Sequence, residues 1–154
     1  MSGQADFTED EWTAIVEAPL EVMVTMFAAG QHGPISTLKE STAGARAIAQ
    51  PGNRGAASGL IAEVIPAAQG KQARHDAGHP KGDSLAEIID AGLAKLEPAA
   101  TALAARPGDE VSGFGAWLVD IAVAVAQASK GVSDTERDAI ERIAAAFGVP
   151  APTI

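Results

Sequence analysis

A chain of 154 residues, 47% of them hydrophobic, has the length and apolar content of one ordinary domain that buries a core without staples. It has no cysteine, which excludes disulfides, thiolate catalysis and cysteine-ligated zinc or iron–sulfur centres. Its formal charge of −9 disfavours nucleic acid and anionic membrane surfaces as partners, since both are repelled at long range.

Residues 1–38 carry six carboxylates, Asp6, Glu9, Asp10, Glu11, Glu17 and Glu21, and no Lys or Arg. The segment opens on Thr8-Glu9-Asp10-Glu11, a capping box: the Thr8 hydroxyl accepts from the Glu11 amide while the Glu11 side chain reaches back. Phe7 and Trp12 occupy the two positions of a hydrophobic staple. A kink or restart is expected at Pro19, because proline lacks the donor and crowds the preceding turn. Leu20 to Ala29 then continues as an apolar helix with Glu21 and Thr25 as a narrow polar stripe. After the turn Gly30-Gln31-His32-Gly33-Pro34, Ser36 is placed to cap a helix reaching about Ala49.

Pro51-Gly52-Asn53-Arg54-Gly55 reads as a turn, followed by a helix over about 57–68 with Leu60, Ile61, Val64 and Ile65 on one face. Pro66 is expected to disturb its last turn. Gly70 to Gly82, polar and without a period, reads as the longest loop. Ser84-Leu85-Ala86-Glu87 is a second capping box, opening a helix with Leu85, Ile88, Ile89, Leu93 and Leu96 inward. Pro98 opens a short helix that ends before Pro107-Gly108. Phe114 to Ala128 is apolar nearly all round, with Asp120 and Gln127 on one edge, and is expected to be the central helix. Gly131-Val132-Ser133-Asp134-Thr135-Glu136 ends that unit and starts the last helix through a third capping box. Ile140, Ile143, Ala144 and Phe147 face inward there, and Gly148 stands at the C′ position.

These patterns predict an all-α fold, a single-domain bundle of about seven helices over residues 7–149. Flexible tails are expected at 1–6 and 150–154, with an internal loop at 70–82. The order apolar helix, glycine turn, capped amphipathic helix occurs twice and suggests a pseudo-repeat of helical hairpins. The two apolar stretches, about 10 and 15 residues, fall short of a membrane span, and Met1 to Asp6 lacks the basic and apolar regions of a secretory signal. A soluble, cytoplasmic protein is the expectation.

Phe7-Thr8-Glu9-Asp10-Glu11-Trp12, Ala18-Pro19, Trp117-Leu118-Val119-Asp120-Ile121-Ala122 and the Ser133-to-Gly148 helix together resemble a family of bacterial all-helical proteins to which no activity is assigned. More distantly, the repeated hairpin resembles the TerB-like fold of tellurite-resistance proteins over about half of the chain. Turns in that fold commonly carry Asp before Gly and acidic residues that hold a divalent metal. The corresponding turns here read Gln31-His32-Gly33 and Ser129-Lys130-Gly131. A lysine repels a hard cation where a carboxylate is needed, so the resemblance does not bring the metal site with it.

Candidate sites are few. His75 and His79 stand four apart with Asp76 and Asp83 nearby, a ligand set for a transition metal. Gly78 and Pro80 argue against the helix that spacing needs, so a solvated loop is expected, and His32 reads as a lone turn residue. Pro51 to Gly55 lacks the Lys-Ser/Thr pair of a phosphate loop, and Ser58 is out of register for a nucleophile elbow. Asp120 is expected on an exposed edge or paired with Arg137 or Arg142. Trp12 and Trp117 read as staple and core. The acidic first helix, through Glu9, Asp10 and Glu17, is the surface suited to a basic partner.

No acid, base and nucleophile come together in this pattern, and no cofactor is indicated. The expectation is a non-enzymatic protein-interaction or scaffold domain, engaging a protein partner or a second copy of itself. The alternative is a metal- or small-ligand-binding protein using the 75–83 loop.

Overall fold

A computed structural model describes residues 2–30, 34–74, 84–128 and 131–154. They form seven α-helices and no strand: α1 (Glu9–Gly30), α2 (Pro34–Ala49), α3 (Ser58–Arg74), α4 (Leu85–Ala94), α5 (Glu97–Ala104), α6 (Gly108–Gln127) and α7 (Asp134–Ala146). Short 3-10 turns lie at Gln4–Asp6 and Gly55–Ala57. The fold is all-α, as the helical periods require.

The helix starts are local chemistry. Glu11 N donates to Thr8 Oγ1 at 3.2 Å and Thr8 N to Glu11 Oε2 at 2.9 Å. Ser133 and Glu136 exchange the same two bonds at 3.2 and 2.7 Å, and Ser84 Oγ accepts from Glu87 N at 3.2 Å. The Phe7 and Trp12 rings stack with centroids 6.3 Å apart. Gly148, at φ +64°, follows the last turn of α7.

Four boundaries differ from expectation. First, α1 runs unbroken through Pro19, whose ring is buried. Ile15 and Ala18 before it and Val22, Met23 and Met26 after it all enter one core. Their burial, at about 1.5–3 kcal/mol per large side chain, outweighs the ~3 kcal/mol that an interior proline costs. Second, α2 begins at Pro34 rather than after Ser36; proline suits the first helical position because that amide has no intrahelical acceptor. Third, α3 continues through Pro66 to Arg74, so residues 70–74 of the expected loop are helical. Pro66 sits on the exposed side while Leu60, Ile61, Val64 and Ala68 are buried. Fourth, α6 starts at Gly108, six residues before Phe114. Gly113 makes this possible, since a Cβ there would stand 2.7 Å from the Arg54 carbonyl oxygen and 2.7 Å from the Ala57 methyl.

Helices α1 and α6 pack side by side at the centre. Helix α2 lies mainly on α6, α7 spans α6 and α1, and α3, α4 and α5 pack against α1. Each hairpin, α1–α2 and α6–α7, thus lays its second helix on the first helix of the other. Trp117 and Phe114 fill the middle at 5.5 Å, edge to face, and Trp117 Nε1 donates to the Ala47 carbonyl of α2 at 3.3 Å.

Both expected tails are docked where they are described. Ser2, buried, donates through its amide and hydroxyl to the two oxygens of Glu110, each at 2.9 Å. Gln4 N donates to Glu63 Oε2 at 2.6 Å. The Arg106 guanidinium donates to the Asp6 carbonyl and lies 4.6 Å over the Phe7 ring. The cause is Glu110: it is buried in the first turn of α6, and a buried carboxylate requires donors. At the other end Ile154 packs on the core, and Arg137 donates to its backbone oxygen at 3.3 Å.

Candidate interaction surface

The α1 helix carries its charge at the N-terminal end, where Glu9, Asp10 and Glu11 meet the positive end of the helix dipole. Asp10, Glu17 and Glu21 recur at seven and four residues and therefore share one edge. That edge forms one wall of a groove of about 440 Å³, closed on its far side by Lys95 and Pro98 at the α4–α5 junction. Thr13 lines the same groove.

The edge is only partly open charge. Glu17 pairs with Lys71 of α3 at 2.8 Å, both side chains about 40% exposed. Glu21 approaches Lys95 at 3.7 Å. Pairs this exposed contribute about 0–1 kcal/mol each, so they reduce the local field more than they hold the fold. Glu9 and Asp10 are exposed at the start of the helix. Of the three carboxylates expected to meet a partner, Glu9 and Asp10 face solvent and Glu17 shares its charge with Lys71.

His75, Asp76, His79 and Asp83 lie outside the described residues, as does His32. Among the described residues no three His, Asp or Glu side chains gather in a group that could hold a metal ion. Asp120 is exposed, as expected of an edge position, but its ion-pair partner is Arg54 rather than Arg137 or Arg142. Arg54 also donates from Nε to the Pro51 carbonyl at 2.6 Å, and its amide donates to Ser58 Oγ at 3.1 Å. The Pro51–Gly55 turn is thereby latched to α6, and Ser58 closes the turn instead of facing a cleft. Arg142 pairs with Asp90 of α4 at 2.7 Å, and Arg137 with Asp134 at 3.3 Å. Trp117 is wholly buried, whereas Trp12 is half-buried at the surface of α1.

Comparison with known proteins returns no match: no family model, no curated protein and no solved structure. The TerB-like resemblance therefore rests on the residue pattern alone.

Three buried carboxylates, Glu40, Glu110 and Glu136, were not legible as such. Glu136 is the capping-box residue of α7, which explains its position. Glu110 looks in sequence like any first-turn glutamate, and nothing local signals that Ser2 will cover it. Helix α1 is, by length and composition, long and apolar enough to cross a membrane once its two halves are read as one; 61% of its most apolar window is buried inside the bundle. Its contacts with every other α-helix of the bundle fit a core helix.

Proposed function

We propose that this chain is a non-enzymatic, cytoplasmic protein-interaction domain whose acidic α1 edge receives a basic protein surface. The observation that carries this reading is the groove beside α1, lined by Asp10, Glu17 and Glu21. Lys71 pairs with Glu17 and Lys95 with Glu21, and the acidic edge keeps an excess of negative charge at Asp10. Exposed Glu9 extends the same negative field to the tip of the helix. A field of this sign accelerates encounter with basic partners and repels nucleic acid and anionic lipid surfaces.

The test is affinity capture of partners at stepped ionic strength with the parent chain and with Glu9→Gln, Asp10→Asn and Glu17→Gln combined. Removing three charges is expected to weaken partner binding by about tenfold at low salt and to flatten its salt dependence, since exposed charges act mainly through the screened, long-range term. Lys71→Met serves as the control, because it removes the partner of Glu17 and leaves the carboxylates. Partner binding that is the same across the series assigns the acidity to solubility.

A further inference from the structure

A second and larger groove, about 1120 Å³, lies on the other side of the α1 N-terminus. One wall is the docked segment from Ser2 to Thr8 and the other is α3, at Gly59, Ala62, Glu63 and Pro66; Trp12 also lines it. Phe7, Trp12, Ala62 and Pro66 are among its apolar lining residues. Its charged groups are Asp6, Glu9 and Glu63, and among the described residues no Lys, Arg or His lines it. The groove is open along its length, which suits a chain segment better than an enclosed small molecule.

We infer that this groove binds an arginine-bearing peptide segment of a partner protein, with the guanidinium on the exposed side of Trp12 and paired with Glu63 or Glu9. The inference rests on the reading of the chain as an interaction domain and names the site and the chemistry of its partner. Three observations support it. The lining combines a partly open indole with carboxylates, and aromatic faces attract cations while carboxylates take the bidentate guanidinium fork. Positive charge on the occupant complements the lining, whose three charged residues, Asp6, Glu9 and Glu63, are all carboxylates. The same aromatic pair already holds one arginine from within the chain, since Arg106 lies over Phe7, which stacks on Trp12. Arginine fits better than lysine here because it is planar and more weakly hydrated.

The wall of the groove is independently anchored. Ser2 is fixed on Glu110 and Gln4 on Glu63, so the site is preformed and an occupant need not order it. Glu63→Gln keeps an oxygen that accepts from the Gln4 amide and removes the charge, which makes it the informative variant.

The experiment uses the whole chain and a short acetylated and amidated peptide of alternating Arg and Leu, with a second peptide in which citrulline replaces Arg. The chain has two tryptophans, and Trp117 is wholly buried, so acrylamide quenching reports on Trp12. The Arg peptide is expected to bind saturably and shield Trp12 from acrylamide. The citrulline peptide and the Glu63→Gln chain should each bind about tenfold more weakly, as loss of a stacked, paired cation implies. Glu141→Gln, exposed on α7 and part of neither groove, should leave this affinity unchanged. Binding that leaves Trp12 fully quenchable, or that is lost in Asp10→Asn with Glu17→Gln, on the other groove, but not in Glu63→Gln, overturns the groove assignment while the interaction reading stands. Arg and citrulline peptides binding alike, or neither binding, also overturns it. The citrulline comparison is made on the parent chain and so does not depend on any variant folding.

Discussion

Thr25 is fully buried, and its hydroxyl donates to the Glu21 carbonyl one turn back in α1, at 2.8 Å. This half of the narrow polar stripe along α1 makes a contact with α4, where Gly92 offers no side chain. A Cβ on Gly92 would come 2.1 Å from Thr25 Oγ1. Alanine in place of glycine gains about 1 kcal/mol of helix propensity, but overpacking a tight contact costs about 1–3 kcal/mol. Gly92→Ala is therefore expected to lower the denaturant midpoint, with a net loss of up to about 2 kcal/mol. Thr25→Ala in the Gly92→Ala background should restore part of that loss. Strict additivity of the two changes would place α4 elsewhere on α1.

Capping separates the residues that start an element from their neighbours. Ser133 closes both bonds of its box with Glu136, while Thr135 lies inside the first turn of α7. Ser133→Ala is expected to cost about 1 kcal/mol in chemical denaturation, and Thr135→Ala much less. Equal effects would show that α7 does not begin at Ser133. At this scale the three helix starts at Thr8, Ser84 and Ser133 were legible, because a capping box is a contact between residues three apart. The helix ends and interruptions were not. Proline has a fixed local cost, but whether Pro19 and Pro66 break their helices depends on what the flanking turns bury. Here Pro66 faces solvent and Pro19 is flanked on both sides by core residues.

For the molecule as a whole, the choice between an interaction domain and a metal-binding protein turns on the histidines at 75 and 79. If that segment only connects α3 to α4, His75→Ala with His79→Ala should leave stability within about 0.5 kcal/mol of the parent, as most surface changes do. Added zinc should then shift the melting temperature of neither protein. A metal held by the folded chain stabilises it by RT ln(1 + [L]/Kd), about 4 kcal/mol at a thousandfold excess over Kd. A zinc-dependent rise in Tm that the double variant loses is the result that moves the metal reading ahead.

The amino-acid sequence by itself determined the helical class, the three capped helix starts and most of the inward faces, including Leu60, Ile61 and Val64 of α3 and Ile140 and Ile143 of α7. All of these follow from helix periodicity and from hydrogen bonds within one turn, which a linear reading contains. It also placed Trp117 in the core, and it left Asp120 between an exposed edge, which it occupies, and a pair with Arg137 or Arg142, which it does not make. Only the tertiary structure decided the partners: Arg54 for Asp120, 66 residues away, Lys71 for Glu17, 54 away, and Ser2 for Glu110, 108 away. Such pairs depend on which helix faces meet once α1 and α6 are side by side. That packing is set by the sum of many small buried side chains and by close approaches at glycine, and no local pattern of charges records it.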